Sequence, residues 1–201
     1  MNTMKKISEW RYILLDTSFI VDYLSDPTRF ASNPVKKENI ELAKSIMELL
    51  SSEKRKIKPQ FYITSITIGE LKRLETESVA KKIIETLSAG DVTFLPYGKT
   101  EAEVLNKVVF AWKKEKQPKV TQKQLEDDCR NSGCANFRNW ISDDMKILSC
   151  VKQLCQQKRL DVILTSDERT FLPIAELMEL PCLVLKKENF PTDLFGELSN
   201  N

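Results

Sequence analysis

The apolar run ILLDTSFIVDYL (13–24) is interrupted by Asp16, Thr17 and Ser18 just where a buried strand should end. Further along, Glu70 stands in ITSITIGEL, Asp143 and Asp144 in WISDDMKIL, and Asp167 in VILTSDERTF. Carboxylates brought together raise one another's pKa unless a cation offsets the charge. A site built only of oxygen donors suits a hard dication, Mg²⁺ or Mn²⁺. Such an ion binds a phosphate oxygen and lowers the pKa of a bound water, a route to phosphodiester hydrolysis that needs no imidazole base. That matters here because the chain contains no histidine. Histidine acid–base catalysis, the Ser-His-Asp triad and imidazole metal ligands are all excluded.

Each acid also has a purely local reading. Asp16 can cap the helix that follows it, and Thr67-Ile68-Gly69-Glu70 fits a capping box. Thr165-Ser166-Asp167-Glu168 fits the same pattern, and Asp143 and Asp144 can favour a helix dipole behind an N-cap Ser142. Capping explains why acids begin helices. It does not explain why they recur along one strand–helix series with no basic residue immediately beside Asp16, Glu70 or Asp144. Helix phase separates the adjacent pair: Asp144 runs with Ile147, Leu148 and Val151, while Asp143 runs with Lys146 and Cys150. Asp144 is therefore expected to face the sheet edge and Asp143 its rim.

The elements that must position these residues alternate. Short β-branched or aromatic runs predict strands at 12–16, 61–65, 91–97, 161–166 and 182–185. Helical spacing predicts helices over 38–56, 66–74, 78–90, 100–116, 142–158 and 168–180, with Gly90 as a stop and Pro173 near a first turn. The stretch 22–38, DYLSDPTRFASNPVKKE, reads as an exposed loop. Strands alternating with helices imply an α/β fold, a three-layer α/β/α sandwich around a mainly parallel sheet. In such sheets ligands bind beyond the carboxyl ends of the strands, where each of these acids is expected.

The chain has 201 residues, which fits one domain over 1–201. A polar, charged insertion is expected at about 113–140, broken by Pro118 and Gly133. Its lysines and arginines, among them Lys113, Lys119 and Arg130, are interleaved with Trp112, Phe137 and Trp140. That mixture could hold a single strand by phosphate contact and stacking. Glu115, Glu126, Asp127 and Asp128 dilute it, and a solvated face is the preferred reading. The net charge is +2, so no global field attracts nucleic acid or membrane. The five cysteines form an odd set without a secretory signal, so reduced thiols and a cytoplasmic location are expected. No apolar window is long enough for a membrane helix.

LLDTSFIVDYL, ITSITIGEL, SDDMKIL and VILTSDERTF, in that order, resemble the acidic motifs of the PIN-domain (PilT N-terminus) ribonucleases, a family that includes toxins of toxin–antitoxin pairs. The resemblance spans roughly residues 12–186. It implies a divalent metal in an acidic pocket and endonucleolytic cleavage of RNA. By position, Asp16, Glu70, Asp144 and Asp167 match the family's metal-binding acids, and Ser18 its motif hydroxyl, with Thr165 in a similar supporting part. Asp143 is a supporting neighbour. An antitoxin partner and a homodimer are further implications. Two alternatives stay open: a PIN fold that serves only as an interaction module, and a von Willebrand A-type binding module. The latter's D-x-S-x-S motif fails at Ile20, and a haloacid-dehalogenase D-x-D pair fails at Ser18.

Overall fold

The strands YILL, QFYIT, VTFL, VILT and CLV are too short and too apolar on both sides to stand alone. In the computed structural model they pair side by side as β1 (Tyr12–Leu15), β2 (Gln60–Thr64), β3 (Val92–Leu95), β4 (Val162–Thr165) and β5 (Cys182–Val184). All four pairings are parallel, and the strand order is β3-β2-β1-β4-β5. β1 is central: Ile13 is opposite Phe61 on one side and Val162 on the other. The structure describes residues 5–74, 92–114 and 137–190, with the separate positions 81, 83–85, 87, 123, 127, 130 and 131.

Parallel strands need crossovers, and helices supply them. They are α1 (Thr17–Leu24), α2 (Pro34–Ser51), α3 (Ser65–Leu74), α4 (Lys99–Lys114), α5 (Phe137–Gln156) and α6 (Phe171–Leu177). Side chains of a strand alternate between faces. Ile13, Leu15, Val162 and Leu164 therefore join Phe19, Ile20 and the α2 residues Leu42, Ala43, Ile46 and Leu50 in one core. Leu14, Tyr62 and Ile163 join Ile147, Leu148, Val151 and Phe171 in the other. Two cores flanking one parallel sheet make the α/β/α layering that the alternation of elements predicts.

The expected boundaries shift where caps decide them. Helix α2 starts at Pro34, four residues before the expected Glu38, because Asn33 accepts from Lys36 N and Pro34 sits at the first helical position. Residues 22–38 are thus not a loop. α1 continues through Leu24, a 3₁₀ turn covers Pro27–Phe30, and Asp22 is fully buried. Helix α5 begins at Phe137, so Asp143 and Asp144 lie inside it and Ser142 is not its N-cap. Helix α6 is confined to Phe171–Leu177. Lys81, Ile83, Ile84, Glu85 and Leu87 are helical, as expected for 78–90. The rest of that span, and most of 113–140, including Cys129 and Cys134, lie outside the described residues. Cys150, Cys155 and Cys182 are free thiols. No described helix is long and apolar enough to cross a membrane.

One aspartate works at the amino edge of the sheet, away from the other acids. Asp161 Oδ2 accepts from the N–H groups of Arg11 (2.7 Å) and Tyr12 (2.9 Å), and Oδ1 from Lys5 Nζ (2.6 Å). Although burial alone would raise it, these donors hold its carboxyl below the ordinary value of 3.8. The group thus stabilises the fold above its unfolded pKa and loses that contribution as pH falls through the folded one. Asp161→Ala is expected to cost about 2–3 kcal/mol, since two backbone donors lose a charged acceptor. Urea unfolding would read that loss, and any carboxyl-edge chemistry should be untouched.

Candidate functional site

β1 ends at Leu15, and Asp16 N donates to Leu164 O (3.0 Å), so the aspartate leaves the sheet between β1 and β4. Asp16 is the N-cap of α1, as its local reading predicts, but the cap bond from Ser18 N is long (3.3 Å). Shorter bonds come from hydroxyls. Ser18 Oγ donates to Asp16 Oδ2 at 2.6 Å and Thr165 Oγ1 to the same oxygen at 2.8 Å. Ser18 and Thr165, two of the three residues given supporting parts, thus both bond to the Asp16 carboxylate. Burial raises the Asp16 pKa; the bonds from Ser18 and Thr165 oppose the shift, and Asp167 adds to it.

Glu70 reaches the same edge from α3. The capping box expected for it does not form. Thr64 Oγ1 accepts from Thr67 N (3.1 Å) and takes the capping role, and the Glu70 carboxyl accepts instead from the Thr17 hydroxyl. Thr17 is buried and adjacent to Asp16, so the bond ties the α3 acid to the start of α1. Burial pushes Glu70 up to about 7; Thr17 opposes this, and the nearby charges of Asp16 and Asp143 reinforce it.

Asp144 approaches from α5, carried on the turn before Ile147 and Leu148, both fully buried against the sheet. Its pKa is raised well above the ordinary 3.8, first by burial and then by the charges of Asp16, Asp167 and Glu70. Asp143 faces the rim, as phase predicts. It pairs with Arg73 and with Lys146 (2.9 Å), which together hold its pKa down against the effect of burial. The two neighbours therefore differ in kind: one is a neutralised surface group, the other a carboxyl held among carboxyls.

Asp167 is the most locally engaged. Its Oδ1 accepts from Arg169 N (2.7 Å) and Thr170 N (2.9 Å), and Oδ2 accepts from the Thr170 hydroxyl. That turn replaces the expected Thr165–Glu168 capping box; Glu168 points outward and pairs with Lys186 (2.6 Å). Thr170, buried, also lies beside the Asp144 carboxyl.

Sequence reasoning missed Thr17, Thr170, Ser166 and Asp22. Asp22 carried a usable signal, a charge in an otherwise apolar turn and four residues after Ser18, which places it on the same helix face. The donor set around Asp16, Glu70 and Asp144 is all oxygen, desolvated and mutually repelling, which in chemical kind fits a hard dication. As placed, however, the carboxyl oxygens are engaged by hydroxyls, and among the described residues no three acids or cysteines are grouped to hold a metal ion. No family model matches the chain, and no curated protein matches it.

Proposed function

We propose that the chain is a PIN-type endoribonuclease that hydrolyses RNA phosphodiester bonds with Mg²⁺ or Mn²⁺. What supports this reading is that the charge of Asp16, at the start of α1, raises both Glu70 of α3 and Asp144 of α5, that Glu70 also raises Asp144, and that the Thr17 hydroxyl ties Glu70 to the residue next to Asp16. Folding keeps such an arrangement at a cost, and raised carboxyl pKa values cluster at functional sites. Asp16, Glu70 and Asp144 would hold the ion, with Asp167 adding charge from the side. A bound dication supplies a more acidic water and a counter-charge for the phosphoryl oxygens. Ser18 and Thr165 orient the Asp16 carboxyl, and Thr17 keeps Glu70 turned toward it. Arg73, exposed at the rim, can meet the phosphate backbone of a strand entering the site. Cytoplasmic action fits the thiol usage, and an antitoxin partner or homodimer follows from the resemblance alone.

Asp16→Asn tests the assignment. With a Mn²⁺ titration over a mixed RNA pool, the wild-type chain should cleave and the variant should not, while retaining a cooperative thermal transition. Full activity in Asp16→Asn would refute the role given to this residue. A second reading, an interaction module of the same fold without catalysis, is favoured by the engagement of Glu70 by Thr17 and of Asp167 by Thr170 and Arg169. Absence of divalent-dependent cleavage in the wild-type chain would select it.

A further inference from the structure

A second polar set lies behind the acids, and the reaction proposed above makes no use of it. Asp22, on α1, is 0% exposed. Its Oδ2 accepts from the Ser166 hydroxyl, and the ammonium of Lys36, in the first turn of α2, sits against Oδ1 as an ion pair. A buried pair of this kind is a poor source of stability, since well-packed apolar groups of the same volume often do as well or better. Its placement suits another purpose.

Ser18 and Thr165 each carry one hydroxyl proton and can accept as well as donate. Their oxygens are 3.1 Å apart, close enough for one to donate to the other and so turn a proton away from Asp16. The loop after β4 competes with this. Ser166 N donates to Ser18 Oγ at 2.8 Å, and Asp167 N donates to Thr165 Oγ1 at 3.0 Å. With an N–H filling one of the two acceptor positions on each hydroxyl, the shorter bonds to Asp16 Oδ2 (2.6 and 2.8 Å) are favoured for both protons. The Ser166 side chain in turn bonds to Asp22, which ties this loop to α1. We propose that Asp22 is a positioning residue for Asp16: anchored by Lys36 of α2, it holds Ser166 so that the loop's N–H groups direct the Ser18 and Thr165 hydroxyls onto the Asp16 carboxylate.

This rests on the metal-dependent reading of the site, and its test separates the two. Mn²⁺ binding to the full chain is measured by calorimetry for the wild type, Asp16→Asn, Ser166→Ala, Asp22→Ala and Asp22→Asn, each with its thermal midpoint. Misplaced supporting groups typically cost a metal site about tenfold or more in affinity. Ser166→Ala and Asp22→Ala are expected to show that loss. Asp22→Asn should stay closer to the wild type, because its amide oxygen still accepts from Ser166. A purely structural role would lower the midpoint of Asp22→Ala and leave the Mn²⁺ constant unchanged. That result, or no recovery in Asp22→Asn, overturns the proposal while Asp16→Asn still reports on the site itself. If Asp22→Ala does not fold, Ser166→Ala decides alone: unchanged affinity overturns the role of the loop bond. A wild-type chain that neither binds Mn²⁺ nor cleaves RNA removes both readings together.

Discussion

Asp144→Asn is expected to abolish divalent-dependent RNA cleavage and, in the same protein, to raise the melting temperature measured without metal. The two effects have one cause. The carboxylate is held where burial and the charges of Asp16, Asp167 and Glu70 all oppose its ionised form. An amide of the same shape removes that repulsion, with an expected gain of about 1 kcal/mol and a rise of roughly 2–4 °C for a chain of this size. The same change removes a proposed metal ligand. Losing several kcal/mol of charge stabilisation in the transition state corresponds to a fall of about a thousandfold or more in rate. Single-turnover cleavage and a thermal scan read the two arms. A destabilised Asp144→Asn protein would mean that the aspartate makes favourable native contacts, and the picture of an electrostatically costly site would not hold.

Mn²⁺ affinity is expected to fall steeply as pH drops below about 7, the value to which Glu70 is pushed. Below it Glu70 carries a proton in the metal-free protein, and that proton must leave when an ion binds. One displaced proton gives about tenfold weaker binding per pH unit, and a second from Asp144 makes the slope steeper. Stability without metal runs the other way. A carboxyl whose folded pKa is raised binds its proton more tightly in the native state. For Glu70 its contribution is full below the ordinary value of 4.5 and is lost as pH rises through about 7. The metal-free protein should therefore melt at a lower temperature at pH 8 than at pH 5, and Mn²⁺ should restore the difference at pH 8. Asp143 and Asp161, with lowered pKa values, act in a separate window, where stability falls as pH drops below 3.8. Affinity that is flat between pH 5 and 8 would exclude Glu70 as a ligand.

Neighbouring residues show what could be read along the chain. The alternation of short apolar runs such as YILL and VILT with helical patterns pointed to a mainly parallel sheet, because parallel strands need crossovers and the helices that supply them cover both faces. The 3.6-residue period of α5 separated Asp144 from Asp143 without any knowledge of what either meets. Asp16, Glu70 and Asp144 were legible for the same reason: each lies at a fixed, short distance from a recognisable strand or helix, and parallel sheets build sites at one edge.

Competition for donors was not legible. Thr64 rather than Thr67 caps α3, and that choice freed Glu70 for Thr17. Asp167 kept its own turn instead of joining a capping box. Which of several nearby hydroxyls and N–H groups a carboxylate accepts from depends on distances of a few tenths of an ångström. Those distances are fixed only when distant segments pack. Asp22 shows this most plainly, since its partners Ser166 and Lys36 lie on β4's outgoing loop and on α2. The sequence by itself determined the sheet, its layers and which edge the acids occupy, because periodicity and local spacing carry that information. Only the tertiary structure decided which oxygens are dehydrated, which hydroxyl serves which acid and which charge is already paired, because hydrogen-bond direction and burial belong to groups far apart along the chain.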